Sequence, residues 1–173
     1  MSPRRKRVAT LVLMGVAGVG KSSVMQALQG RLGWPALEGD ALHPQANVEK
    51  MAAGIPLTDA DRRPWLRAIA AWIGEHERAR ASSLVTCSAL RRTYRDALRQ
   101  GHSSVWFVHL AAPRDVLEGR IASRADHFMP KSMLGSQLAT LEPLGRDEPG
   151  STIEATAPID AVVDLIVHRL RLD

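Results

Sequence analysis

Eight consecutive residues carry the most definite chemistry in this chain. Gly15-Val16-Ala17-Gly18-Val19-Gly20-Lys21-Ser22 fits the pattern G-x-x-x-x-G-K-[ST]. Glycines at these positions let backbone N–H groups curl around phosphate oxygens, and a helix beginning there adds the positive end of its dipole. Lys21 is placed to reach the β- and γ-phosphates, and the Ser22 hydroxyl to bind Mg²⁺. Gly15 to Ser23 is therefore the expected ATP site, and Lys21 a catalytic residue. A glycine-rich turn with a chance lysine is the competing reading. It leaves unexplained why an apolar strand precedes the loop and an amphipathic helix follows it.

The loop implies nucleotide binding but not its purpose. A GTPase would carry a guanine-reading N-K-x-D, yet the only asparagine is Asn47, in Asn47-Val48-Glu49-Lys50. A motor or switch ATPase would show an apolar strand ending in aspartate. Here Leu84-Val85-Thr86-Cys87 runs into Ser88. Small-metabolite kinases can do without that carboxylate, because Mg²⁺ is held largely by phosphates, the loop hydroxyl and water.

The candidate acceptor side begins at Gly39-Asp40-Ala41-Leu42-His43-Pro44. Ligands of open α/β sheets bind at the carboxyl ends of the strands, which puts Asp40 beside the phosphate loop. There it could orient and deprotonate an acceptor hydroxyl. Its rival role is a helix cap, but Pro44 suits the first helical position, which makes His43 the cap and leaves Asp40 too early. His43 stays open between capping and substrate contact. Arg62 or Arg63 could hold a carboxylate bidentately. Both also fit a solvated first helical turn with Asp59 and Asp61, and position alone does not choose. Cys87-Ser88-Ala89-Leu90-Arg91-Arg92 offers polar backbone and a cation at a strand end, with Cys87 itself a small buried hydrophobe. Trp65 and Trp72 read as core, not as a stacking platform.

Arg120 and Arg124 lie four apart on one helical face. Such a like-charge pair costs ~0.2–0.5 kcal/mol in an isolated helix, and a polyanion between them would reverse that. Both are expected at the nucleotide, with Arg124 as the cation that stabilises the transferring phosphoryl group. Two solvated arginines are the alternative.

The elements that must position these groups follow from periodicity. Apolar runs predict strands near Val8–Met14, Leu84–Cys87, Val105–Leu110 and Thr152–Thr156, with a weaker one near Trp34–Leu37. Helical spacing predicts Lys21–Leu32, a segment from Thr58 to about Arg80, one opened by Pro113 and one from about Pro158. Strand–helix alternation makes a three-layer α/β fold, a five-stranded parallel sheet with helices on both faces. Residues 125–150 break the pattern with three prolines and three glycines, some helix fitting around Ser132–Leu141. In a nucleotide enzyme such an insertion is a lid.

A length of 173 residues suits one domain, here 8–173, after a basic tail at 1–7. Hydrophobic residues at 45% and charged residues at 24% exclude disorder, collagen and coiled coil as whole-chain readings. A single cysteine excludes an internal disulfide. The net charge of +5 falls to a single positive without Arg4, Arg5, Lys6 and Arg7, so the basicity belongs to the tail. A solvated tail is favoured over a nucleic-acid contact. Arg4–Val19 imitates a secretory signal, but cleavage there would cut the phosphate loop, and no A-x-A site follows. No other apolar stretch approaches the ~18 residues of a membrane span. A cytoplasmic protein without nucleic-acid or membrane partners is expected.

Taken in order, several motifs resemble the gluconokinase family. They are the phosphate loop, Gly39-Asp40-x-x-His43-Pro44, Asn47-x-x-Lys50-Met51, Asp59-x-Asp61-Arg62-x-Pro64-Trp65-Leu66, Cys87-Ser88-Ala89-Leu90 and Tyr94-Arg95-Asp96. His127-Phe128-Met129-Pro130, Leu134-x-Ser136-Gln137 and Leu141-Glu142-Pro143-Leu144 resemble that family's lid. The match spans roughly residues 10–165. The resemblance implies ATP-dependent phosphorylation of D-gluconate to 6-phosphogluconate, feeding the pentose phosphate or Entner–Doudoroff routes. It implies a nucleoside-monophosphate-kinase-like fold with the phosphate-loop strand central and commonly a homodimer; Mg²⁺ is the cofactor expected from the loop hydroxyl. It places Asp40 at the accepting hydroxyl, His43 and Arg62 around the sugar acid, and Arg124 in the lid. Lys50, Ser88, Arg91 and His127 complete the expected substrate set. Val19, Trp34-Pro35 and the Arg4–Arg7 extension depart from the family's pattern. Two rivals are weighed. A shikimate kinase-like enzyme would show Gly-Gly-Gly where this chain has Ser88-Ala89-Leu90. A non-catalytic nucleotide-binding module would bind without turnover.

Overall fold

The structure, a computed structural model, describes residues 7–123 and 131–173. Five strands, β1 (Thr10–Met14), β2 (Ala36–Glu38), β3 (Ser83–Thr86), β4 (Val105–Ala111) and β5 (Gly150–Glu154), form one sheet in the order β2-β3-β1-β4-β5. Every pairing is parallel, and the phosphate-loop strand β1 is central. Its residues alternate between the two faces, as strand geometry requires. Leu11 and Leu13 join one core with Val24 and Leu28 of helix α1 (Lys21–Leu32) and Val163 and Ile166 of α7 (Ile159–Leu170). Val12 and Met14 join the other with Trp65, Ile69 and Ile73 of α3 (Asp59–Arg78) and Leu98 of α4 (Arg92–Arg99). Burial on both faces is why the central strands read as unbroken apolar runs.

Some boundaries move for identifiable reasons. β5 begins at Gly150 because Phe107 N–H donates to Pro149 O at 2.9 Å, so a Pro-Gly pair that reads as a breaker is where the ladder starts. Helix α4 was not expected, because the fully buried Arg95 interrupts its apolar stripe. Helix α2 (Gln45–Ala52) is short and buries only Asn47 fully. Helix α5 (Arg114–Ser123) follows Pro113 as expected.

The insertion divides into unlike parts. Residues 124–130 lie outside the described residues. Helix α6 (Lys131–Thr140) matches the expected one to within a residue. Beyond it the chain is tied down. Glu142 N–H donates to Leu90 O at 2.7 Å, and Arg92 N–H donates to the Glu142 carboxylate at 2.9 Å. The Arg95 guanidinium grips Glu148 with two bonds of 2.7 and 3.1 Å, both side chains essentially without solvent exposure. It also donates to Ala89 O at 2.9 Å. A buried ion pair is tolerated only when its remaining hydrogen-bond sites are satisfied, which these carbonyl contacts do. Residues 142–148 are therefore a strut bracing the turn after β3, and this part of the expected 125–150 insertion is tied to the body of the domain. Among the described residues no helix is long and apolar enough to cross a membrane.

Candidate active site

A cavity of about 500 Å³ opens at the carboxyl ends of β1, β2 and β3. The phosphate loop forms one wall, with Ala17, Gly18, Gly20, Lys21 and Ser22 facing it. Gly18 and Gly20 have φ of 81° and 99°, the left-handed region that side chains avoid, and this lets the loop curl. Val16 and Val19 point the other way and are buried at 4% and 1% exposure. Val19, unusual at its position, is thus a core residue beneath the loop. Lys21 Nζ donates to Gly15 O at 2.9 Å and Val16 O at 3.1 Å. Gly15 N–H donates to Ser88 O at 3.2 Å, joining the loop to the turn after β3. Ser23 is half-buried and off the cavity wall.

Arg120 does not face the cavity. Its Nη1 donates to Val19 O at 3.3 Å and its Nη2 to Ala155 O at 2.6 Å, so it braces the loop from behind. These two carbonyls relieve the charge that a nucleotide was expected to relieve. Arg124 and His127 lie outside the described residues. From α6, Gln137 reaches across the sequence to accept Ala17 N–H at 2.7 Å, a contact not assigned from the sequence.

The opposite wall is built by side chains. It starts at Gly39, where a Cβ would lie 2.1 Å from Thr86 O, so only glycine lets the chain pass. Trp65 Nε1 donates to Gly39 O at 2.8 Å and pins the turn. Asp40 follows on a single 3-10 turn (Gly39–Leu42), its carboxylate exposed to the cavity with Oδ1 3.7 Å from His43 Nε2. The His43 ring lies flat on Trp65, centroids 4.1 Å apart and planes 17° apart. Trp65 is core, as expected, but it also carries this ring. His43 is not the cap of α2, which starts one residue later than expected with Pro44 at the cap; it closes the 3-10 turn instead, its backbone N–H donating to Asp40 O at 3.3 Å. Burial pushes the His43 imidazole below its usual pKa, Asp40 pulling up and Arg62 pushing further down, so the ring is neutral at pH 7.

Of the two candidate arginines, Arg62 is the one placed at the site. It lines the cavity, whereas Arg63 is exposed and off the wall. Arg62 Nη1 donates to Leu57 O at 3.3 Å and to Tyr94 Oη at 3.5 Å, with the guanidinium carbon 5.2 Å from the Tyr94 ring centroid. Tyr94 is held by donating to Asp59 at 2.6 Å. Among the described residues, Arg62 Nε and Nη2 have no hydrogen-bond partner. They leave one edge of the fork open to a carboxylate.

Two expected substrate residues are elsewhere. Lys50 is off the wall and donates to Asp61 Oδ2 at 2.8 Å, its ammonium drawn to a helix-capping carboxylate. Asp61 completes a capping box with Thr58, and the Lys50 bond foremost holds its carboxyl at about 2. Arg91 is exposed at the start of α4 and also off the wall. Ser88 is on the wall, as expected. Cys87 lies beside it, its thiol pushed up to about 12 by burial, which leaves it no nucleophile. No trio of His, Cys, Asp or Glu among the described residues could hold a metal. The Ser22 hydroxyl, together with phosphate oxygens, fits Mg²⁺.

This arrangement, a phosphate loop facing Asp40, His43 and Arg62 over a shared cavity at the carboxyl end of a five-stranded parallel sheet, defines a P-loop kinase of small molecules. Comparison with known proteins agrees. The AAA domain family matches residues 11–144. Gluconokinase of Gluconobacter oxydans is 47% identical over 94% of this chain and 92% of its own. The thermoresistant gluconokinase of Escherichia coli is 42% identical over 88% of this chain and 87% of its own. The crystal structure of a gluconokinase from Sinorhizobium meliloti superposes with a TM-score of 0.83 at 42% identity, covering 96% of this chain and 95% of that one. The chain belongs to the gluconokinase family.

Proposed function

We propose that this protein transfers the γ-phosphoryl group of ATP to the 6-hydroxyl of D-gluconate, giving ADP and 6-phospho-D-gluconate. One observation carries the reading. The phosphate loop and the Asp40, His43 and Arg62 side chains line the same cavity. Phosphoryl transfer has a loose transition state, so the protein contributes mainly position and charge. Arg62 takes the carboxylate of the sugar acid and fixes its far end. Asp40 accepts the proton of the acceptor hydroxyl as its oxygen bonds to the γ-phosphorus and the bond to the bridging oxygen of ADP breaks. Lys21 and the loop amides neutralise the phosphate charge. Arg124 is retained as the cation added from the insertion. Mg²⁺, held through Ser22 and the phosphates, supplies further charge neutralisation when bound.

The product suits the pentose phosphate route. The same reading includes a cytoplasmic homodimer without nucleic-acid or membrane partners. The exposed Ile159 and Leu165 on α7 are apolar side chains that a second copy could cover.

The test is coupled ADP release over gluconate, glucose and shikimate. An unpaired guanidinium in the pocket should cost glucose ~10⁴-fold in kcat/KM relative to gluconate. Comparable values for the two would refute the role of Arg62, and preference for shikimate would refute the substrate.

A further inference from the structure

We propose that Asn47 is a positioning residue that locks His43 as its Nε2–H tautomer, so that the ring presents a hydrogen-bond donor beside Asp40. The inference deepens the kinase reading above and rests on it for the identity of the substrate.

The argument starts from a carbonyl. Asn47 sits in the first turn of α2 and is 3% exposed, so its carboxamide needs partners inside the protein. Its Nδ2 lies 2.8 Å from Asp61 O. A carbonyl oxygen only accepts, so the amide must turn its NH₂ group toward it. The reverse orientation would put two acceptors against each other. The same Nδ2 lies 3.3 Å from His43 Nδ1. The amide nitrogen brings a second hydrogen and no available lone pair. His43 Nδ1 must therefore be the acceptor and carry no proton. In a neutral imidazole the proton then resides on Nε2. An imidazolium would set N–H against N–H at Nδ1, so Asn47 also disfavours the charged ring. Burial and Arg62 act in the same direction, against Asp40.

Nε2 is the nitrogen that faces Asp40, 3.7 Å from Oδ1. That gap is too long for a direct hydrogen bond but leaves room for one hydroxyl oxygen at about 2.8 Å from both atoms. Nε2–H donates to that oxygen, and the hydroxyl proton points at the Asp40 carboxylate. One lone pair is occupied by the imidazole and the other is free to attack the γ-phosphorus. His43 is thus a donor that aims the nucleophile, and the proton goes to Asp40. Asn47 donates both ways, to Asp61 O at the start of α3 and to His43 Nδ1, and from His43 the bonds run onward through the hydroxyl to Asp40. Trp65 fixes the plane of the ring.

Nitrogen NMR of ¹⁵N-histidine-labelled protein without ligand tests the tautomer, with His43 assigned by its loss in His43→Gln. The expected spectrum has a bare, pyridine-type Nδ1 and a protonated, pyrrole-type Nε2. Asn47→Asp puts an acceptor at Nδ1 and should reverse the pattern or charge the ring, lowering kcat with little change in the KM for ATP. Should that variant not fold, a pair at His43 decides. Glutamine places an N–H near the Nε2 position and asparagine near Nδ1, so His43→Gln should exceed His43→Asn in kcat by about 10-fold. A protonated Nδ1 in the wild type, or equal kcat for the two substitutions, would overturn the proposal. The NMR result does not depend on the substrate, so Nε2–H in a protein that ignores gluconate would refute the substrate assignment alone.

Discussion

The two walls of the cavity are made differently. Toward the nucleotide, the wall is Ala17, Gly18 and Gly20, which offer little beyond backbone, and the two side chains that end the loop, Lys21 and Ser22. The loop's valines turn away into the core. Toward the acceptor, nearly every working group is a side chain, and each is held by another. Trp65 carries His43, Asn47 orients it, and Leu57 O and Tyr94 hold Arg62. A wall of backbone can keep its shape when a side chain changes, because the shape is set by φ, ψ and the packing beneath. A wall of side chains loses function one contact at a time. The same difference suits their tasks. Phosphates are alike in every nucleotide, whereas an acceptor must be told from its neighbours.

Three changes probe this contrast, in order of effect. Lys21→Ala removes the one long cation of the loop. Phosphoryl transfer should fall below detection while the thermal unfolding transition stays cooperative, since Lys21 contributes nothing to either core. A folded variant with unchanged turnover would contradict the assignment. Val19→Ala tests the opposite property of the same loop. It should cost about 1–3 kcal/mol in denaturant unfolding, by leaving a small cavity, with the KM for ATP little changed. A large rise in that KM with stability intact would show that the side chain, not the backbone, makes the wall.

The smallest effect lies behind the acceptor wall, at Lys50 and Asp61. Asp61 is held at about 2, below its usual value near 4, so its stabilising contribution is full above about 4 and lost as the pH falls toward about 2. In Lys50→Met the lysine's share of that hold is missing. The stability gap between wild type and variant should therefore be largest near neutrality and close between pH 4 and 2, measured as unfolding midpoints. A gap independent of pH would mean that Lys50 acts by packing.

The same contrast explains what could be read from the sequence. The phosphate wall is contiguous, eight residues in a pattern whose geometry is local, and it stood out at once. Asp40 was legible because a strand end dictates where it lies. His43 and Arg62 were found as candidates, but their roles depended on residues far along the chain, Trp65 for one and Tyr94 for the other. Lys50 and Arg91 were misplaced because charge alone does not say whether a cation faces a ligand, a carboxylate, as Lys50 does, or solvent, as Arg91 does. Arg120 was misplaced because its partners, Val19 O and Ala155 O, are backbone atoms that no side-chain pattern announces. Gln137 and Asn47 stood in motifs without a role, since a carboxamide declares its function only through what it touches. The sheet was legible wherever both faces of a strand are buried, and blurred at β5, where Pro149 and Gly150 start a strand that they ordinarily end.

The central claim is that Asp40 orients the acceptor and takes its proton. Asp40→Asn preserves shape and one acceptor oxygen but removes the base, and Asn caps a turn about as well as Asp. General-base catalysis is worth roughly 10²–10⁴-fold, so kcat at saturating gluconate and ATP should fall by that factor with the affinity for ATP nearly unchanged. A kcat for Asp40→Asn close to that of the wild type would contradict the account.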